Sequence, residues 1–155
     1  MTEQTLPRVP GPPPPLYLLA ALFLQWGLHA KFPLAQWLSW PWRWIGLLFI
    51  LKGVALAVAA RVRFVKHGTP VRPFTRSTAL VTDGPFVFTR NPMYIGVLLV
   101  LSGSSLLYGS LSPWLAVFVM WCVLNYLFIP REEACMRQLF GAAYQDYCAR
   151  VNRWF

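Results

Sequence analysis

Four apolar runs, 16–32, 42–62, 93–108 and 114–129, leave this chain few folds to choose from. A bilayer core about 30 Å thick takes roughly 20 helical residues to cross. Inside it every backbone N–H and C=O must be satisfied within the protein, which directs such runs into helices. Charged residues make up 12% of the chain and hydrophobic residues 57%, well away from the roughly 25% charged of a soluble domain. The fold class read from this is all-α: a polytopic membrane protein with about four transmembrane helices and a C-terminal amphipathic cytoplasmic helix. Residues 16–155 form one membrane domain, preceded by a Pro-rich tail, 1–15, with no core-forming pattern and an expectation of disorder.

The runs differ in what they carry. The first is barely long enough to cross and contains Gln25 and His29; Trp37, Trp40, Trp42 and Trp44 follow it as an interfacial belt. The second holds a stripe of small residues, Gly46, Gly53, Ala57 and Ala60, which lets another helix backbone approach closely. It also holds Lys52, either a functional charge or one that snorkels to the interface. The third and fourth runs, joined by a tight uncharged turn at 109–113, form an antiparallel hairpin, with Asn125 as an interhelical hydrogen-bonding group or a site residue.

Charge sets the orientation. Eleven of the fourteen Lys and Arg lie in the tail, between Arg61 and Arg90, or after Pro130; Lys31 and Arg43 lie in the first link. The positive-inside rule then puts both termini and the segments 63–92 and 130–155 in the cytoplasm. The net charge of +9 belongs to these flanks, where Lys and Arg meet anionic headgroups, and no nucleic-acid partner is implied. Cys122, Cys135 and Cys148 form no CxxC and the histidines are only His29 and His67, so no metal site is read. The cysteines are read as reduced thiols, with S-palmitoylation at Cys135 or Cys148 as the alternative.

The segment 63–92 is long for an idle loop and ends in the stretch 84–96, GPFVFTRNPMYIG. A Gly-Pro turn, a lone Arg, an Asn-Pro step and a Tyr are more than a membrane entrance requires. After Pro130 the chain reads REEACMRQLFGAAYQDYCARVNRWF. Its apolar residues recur every three to four positions, and Glu133–Arg137 and Asp146–Arg150 are i,i+4 pairs. Glu132 and Glu133 suit a helix N-terminus, yet three of the chain's five acids fall here. A surface helix covering the long connection would bring both sets together.

These two stretches resemble the isoprenylcysteine carboxyl methyltransferase and phospholipid N-methyltransferase superfamily of integral membrane enzymes. The shared pattern is Arg90, Asn91, Pro92, Tyr94 and Gly96, then Glu132, Glu133, Phe140, Gly141, Tyr144, Tyr147 and Arg150. It covers roughly residues 60–153. The chain departs from the pattern in two places: Asn91 stands where His is frequent, and the pair Ala142–Ala143 stands where an acid is common.

The resemblance implies methyl transfer from S-adenosylmethionine, bound on the cytoplasmic side, to a lipophilic or lipid acceptor: an isoprenylcysteine-like carboxylate, a phospholipid amine or a small thiol. Localisation is then an integral membrane one, in a bacterial inner membrane. The resemblance carries cofactor binding onto Arg90, Asn91, Pro92, Tyr94, Gly96, Glu132, Glu133 and Tyr144, and places Arg150 with Glu133 near the reacting groups. Methyl transfer is an in-line displacement, in which a protein contributes orientation, water exclusion and electrostatics. Carboxylates suit ribose hydroxyls, an ammonium or a sulfonium, and Arg suits the cofactor carboxylate. Arg150 either orients an acidic acceptor or pairs with Asp146. An NADPH-dependent membrane reductase related to sterol reductases and a non-catalytic membrane scaffold are the competing classes.

Overall fold

In the computed structural model residues 14–69 and 78–155 are described. The tail residues 1–13 and the part of the long connection with Pro70, Arg72, Pro73 and Arg76 lie outside them. Among the described residues the chain is all-helical: α1 Pro14–Lys31, α2 Ile45–Lys66, α3 Pro92–Tyr108, α4 Trp114–Val123 and α5 Ile129–Arg150, with 3-10 turns at Trp42–Trp44 and Gly84–Val87. A π turn, Leu124–Phe128, joins α4 to α5 without a break. Two helices, Trp42–Lys66 and Trp114–Arg150, are long and apolar enough to cross a membrane. Their apolar residues point outward: Leu47, Leu48, Leu51, Val54 and Val58 on α2 and Leu115, Phe118 and Val119 on α4 are exposed. That is the surface of an integral membrane protein, whose solvent is lipid.

α2 packs most extensively on α3, and the small stripe explains how. A Cβ placed on Gly53 would lie 2.6 Å from the Gly96 carbonyl oxygen, and one on Gly96 would lie 2.7 Å from the Gly53 oxygen. Gly46 and Gly103 approach each other in the same way. Lys52 is exposed, on the outward side of this pair. α1 instead meets α3 and α4. There the fully buried Gln25 donates through Nε2 to the Leu101 carbonyl at 2.9 Å and to Ser105 Oγ at 2.8 Å. Replacing Gln25 with Leu orphans polar groups that no water reaches. We expect a loss of about 1–3 kcal/mol, read as a lower midpoint in detergent unfolding.

The polar half of the chain gathers at one end. α5 is two helices merged across Gly141, whose φ of 50° and ψ of −122° favour glycine. This kink turns the last two turns of α5 back, so that Tyr144, Tyr147 and Val151 join Ala60, Val81 and Phe86 in a second apolar core. A Cβ on Gly141 meets nothing within 4 Å, so Gly141→Ala tests backbone strain alone. It should cost about 1–3 kcal/mol, visible as a lower thermal midpoint.

Candidate functional site

The stretch 84–96 enters α3 through its cap. Asn91 occupies the N-cap position with Pro92 as the first helical residue, where a missing N–H costs nothing. The Asn91 carbonyl accepts from the amides of Tyr94 and Ile95, each at 3.1 Å, which fixes Arg90 just outside the helix and Tyr94 one turn in. On the other side Glu132 and Glu133 follow Pro130. No new helix end opens there, because the π turn runs straight into α5, so helix-terminus stabilisation does not account for these acids. The π turn widens the helix ahead of Pro130, as such turns do near functional sites.

Both stretches meet across a short gap. Tyr94 Oη donates to Glu132 Oε1 at 2.7 Å. Arg90 Nη1 lies 3.1 Å from Glu133 Oε1. Arg153 forks onto the same carboxylate, Nε to Oε1 at 3.1 Å and Nη2 to Oε2 at 2.9 Å, and Arg137 Nη2 adds a contact at 3.3 Å. A carboxylate has about four lone-pair sites, and on Glu133 guanidinium donors fill them. Glu133 is therefore a counter-ion that orients Arg90.

Its neighbour differs: among the described residues Glu132 bonds only Tyr94. Glu132 lies beyond the apolar part of the helix. Burial pushes its carboxyl up to about 7, against the pull of the Tyr94 hydrogen bond, which favours the charged form.

A cavity of about 100 Å³, open on one side, lies between these groups. Arg90, Asn91, Glu132, Glu133 and Tyr144 line it, with Phe64, Ala79, Leu80, Val81, Phe86, Met136 and Tyr147. Arg90 Nε is buried there without a hydrogen-bond partner, an unmet donor that suits an anionic group. Tyr147 Oη closes the wall by donating to the Phe86 carbonyl at 2.7 Å. Tyr147→Phe should cost about 1–3 kcal/mol by orphaning that carbonyl, which a calorimetric or fluorescence melt would register.

Not every motif residue reaches the cavity. Pro92, Tyr94 and Gly96 are buried in α3 and outside its lining; Tyr94 meets the site through Glu132, and the close approach that Gly96 permits is to Gly53 of α2. Arg150 is exposed and away from the lining, its Nε donating to the Asp146 backbone carbonyl at 3.3 Å rather than to the carboxylate. Asn91 gives its side-chain amide to the Arg153 carbonyl at 2.9 Å.

Sequence reasoning missed Arg153 and Phe86: Arg153 lies past the end of α5 and Phe86 in the 3-10 turn ahead of α3, so no helical pattern ties either to the site. Asn125, weighed as a bonding or a site residue, accepts from Trp154 Nε1 at 3.0 Å and Arg153 Nη1 at 3.4 Å. Cys135 is buried, and Cys148 Sγ accepts from Arg90 Nη1 at 2.7 Å.

The profile of the phospholipid methyltransferase family matches residues 42–143. The chain belongs to this family. The match runs from the start of α2 past the kink at Gly141, and so contains both Arg90 and the Glu132–Glu133 pair. The chain is similar to the probable protein-S-isoprenylcysteine O-methyltransferase of Oryza sativa subsp. indica, 29% identical over 117 residues that make up 73% of this chain and 60% of the relative. It is 34% identical over 73 residues to the protein-S-isoprenylcysteine O-methyltransferase of Schizosaccharomyces pombe, covering 46% of this chain and 30% of the relative. The match thus spans about 60% of the length of the rice relative. No solved structure matches the chain significantly.

Proposed function

We propose that this chain is a membrane methyltransferase that uses S-adenosylmethionine to methylate a lipophilic acceptor. The observation that carries the reading is the meeting of two segments some 40 residues apart at one cavity, with Tyr94 on Glu132 and Arg90 on Glu133. The family and the methyltransferase activity its relatives are named for support the same reaction class.

The donor set fits the cofactor. Arg90 Nε, buried and unmet, suits the methionine carboxylate; Glu132, with one oxygen free of Tyr94, suits the ammonium or sulfonium; Phe86, Tyr144 and Tyr147 offer aromatic faces. At about 100 Å³ the cavity is smaller than the roughly 300–1,000 Å³ of most ligand sites. The open side therefore holds the remainder of the cofactor.

When bound, S-adenosylmethionine supplies a methyl group on a positively charged sulfur. In this reading Glu133 and its arginines hold Arg90 rigid, Tyr94 orients Glu132, and the apolar wall of Val81, Phe86 and Met136 excludes water. The acceptor is a lipid or a lipid-modified molecule carrying a carboxylate, amine or thiol. It meets the site from the bilayer. Residues 16–155 act as one domain crossing the membrane four times, α1 and α3 completing the count. Both termini are cytoplasmic, in a bacterial inner membrane, as the distribution of Lys and Arg supports.

Titration of the purified protein with S-adenosylmethionine between pH 5.5 and 8.5 tests this. Burial pushes the Glu132 carboxyl up to about 7 from the 4.5 of a free glutamate. In the cofactor-free protein its contribution to stability is then fully present below about 4.5 and lost as pH rises through about 7. A cationic ligand prefers the carboxylate, so affinity should rise by about tenfold per unit well below 7 and level off above it. Affinity that is flat across this range in the wild type, or unchanged by Glu132→Gln at pH 8, would overturn the assignment.

A further inference from the structure

We propose that residues 151–155 form a strap that sets the geometry of the cofactor site, with Arg153 as a positioning residue acting through Glu133; this rests on the functional reading above. α5 ends at Arg150, and Val151 turns extended, at φ −125° and ψ 125°. The residues beyond it then bind three separate parts of the fold.

The main chain holds the first. The Asn152 carbonyl accepts from the Arg90 amide at 3.0 Å. The Arg153 carbonyl accepts from Thr89 Oγ1 at 3.1 Å and Asn91 Nδ2 at 2.9 Å. The Arg153 guanidinium holds the second, forked on both oxygens of Glu133. The third is the π turn, where Arg153 and Trp154 share Asn125 Oδ1, while the Trp154 ring packs against the core of α1, α3 and α4.

Arg153 thus touches both halves of the site at once, and no other described residue does so through its main chain and its side chain together. Glu133 Oε1 is shared between Arg153 and Arg90. With the fork in place the carboxylate plane is fixed and Arg90 is held with its Nε unmet. Without it Oε2 keeps only Arg137, whose side chain is 54% exposed, and the carboxylate is free to turn about its stem. Lys does not replace the fork, because an ammonium is a point charge that cannot hold both oxygens in one plane.

The test compares full-length wild type, Arg153→Gln, Arg153→Lys and Trp154→Phe in lipid nanodiscs. Trp154→Phe removes the strap's indole hydrogen bond but keeps ring packing, and so reports the purely structural role. Three quantities are read: thermal midpoint, hydrogen exchange of the Arg90, Tyr94 and Ile95 amides without cofactor, and affinity for S-adenosylmethionine.

Arg153→Gln should weaken affinity by about tenfold or more and accelerate exchange at Arg90. Arg153→Lys should fall between it and the wild type. Trp154→Phe should lower the midpoint while leaving exchange at Arg90 and affinity within about twofold. Wild-type exchange at Arg90 in both Arg153 variants overturns the strap, as do effects of Trp154→Phe that match those of Arg153→Gln. If Arg153→Gln does not fold, Arg153→Lys decides. Should the wild type bind no S-adenosylmethionine, the functional reading falls, and the exchange of the cofactor-free protein alone decides whether the strap holds the site.

Discussion

Glu133→Ala should destabilise the protein by about 3–5 kcal/mol, the cost of removing one partner from a buried ion pair. Glu133 is 5% exposed and its partner Arg90 has a side chain 13% exposed, so both charges are largely withdrawn from water. Removing the carboxylate leaves the Arg90 guanidinium with the Cys148 sulfur as an acceptor. Arg153 loses its fork as well, and with it the tie between the C-terminus and α5. The damage should be electrostatic rather than steric. Glu133→Gln, which keeps shape and loses charge, should therefore recover only part of it. Arg137→Ala is the control: its ion pair is more than half exposed on the Arg side and should matter by no more than about 0.5 kcal/mol. Unfolding followed in detergent mixtures of rising SDS content would rank the three.

A second large effect is expected at the α2–α3 seam, from Gly53→Val. Even the first carbon of the new side chain would lie 2.6 Å from the Gly96 carbonyl oxygen and 3.0 Å from Val100 N. Those are backbone atoms, which no rotamer change can move aside. The helices must separate, losing packing along the stripe, and overpacking of this sort costs about 1–3 kcal/mol or more. Separation also displaces the start of α3, where Arg90, Asn91 and Tyr94 are fixed, so ligand affinity should fall with stability. Gly27→Ala is the matched control, because a Cβ there meets nothing within 4 Å. It should be neutral or stabilising by up to about 1 kcal/mol, through helix propensity.

How much of this was legible in the sequence depends on distance along the chain. The helices and the Gly46–Gly53–Ala57 stripe follow from local composition and spacing, and the seam in the structure uses those residues. That Arg90 and Tyr94 belong with Glu132 and Glu133 could not come from spacing. The resemblance supplied it, and the structure brings these residues within hydrogen-bonding distance. Arg153 was out of reach for a physical reason. Its contact with Glu133 depends on the backbone excursion at Gly141 and on the extended turn at Val151, neither of which a helical pattern shows. The resemblance places Arg150 near the reacting groups, with pairing to Asp146 four residues earlier as the alternative. In the structure it is exposed and, among the described residues, bonds only the Asp146 backbone carbonyl. The resemblance carries cofactor binding onto Gly96, and the close approach its missing side chain allows in the structure is to Gly53 and Ala57 of α2.

The separation of roles between the two acids is the sharpest chemical outcome. Glu133 has its oxygens filled by arginines and serves the architecture of the site. Glu132 has one phenol hydrogen bond and a carboxyl that burial pushes up to about 7, which is why the proposed function assigns the cationic ligand to it.

The most direct measurement is methyl transfer itself. Purified protein in nanodiscs is given S-adenosylmethionine labelled in its methyl group, with either a farnesylated cysteine carrying a free carboxylate or phosphatidylethanolamine, and the organic phase is counted. The account predicts label in the organic phase with at least one of these acceptors, and its loss in Glu132→Gln while that variant keeps the wild-type melting behaviour. Absence of transfer with no binding of S-adenosylmethionine, or full transfer by Glu132→Gln, would contradict it.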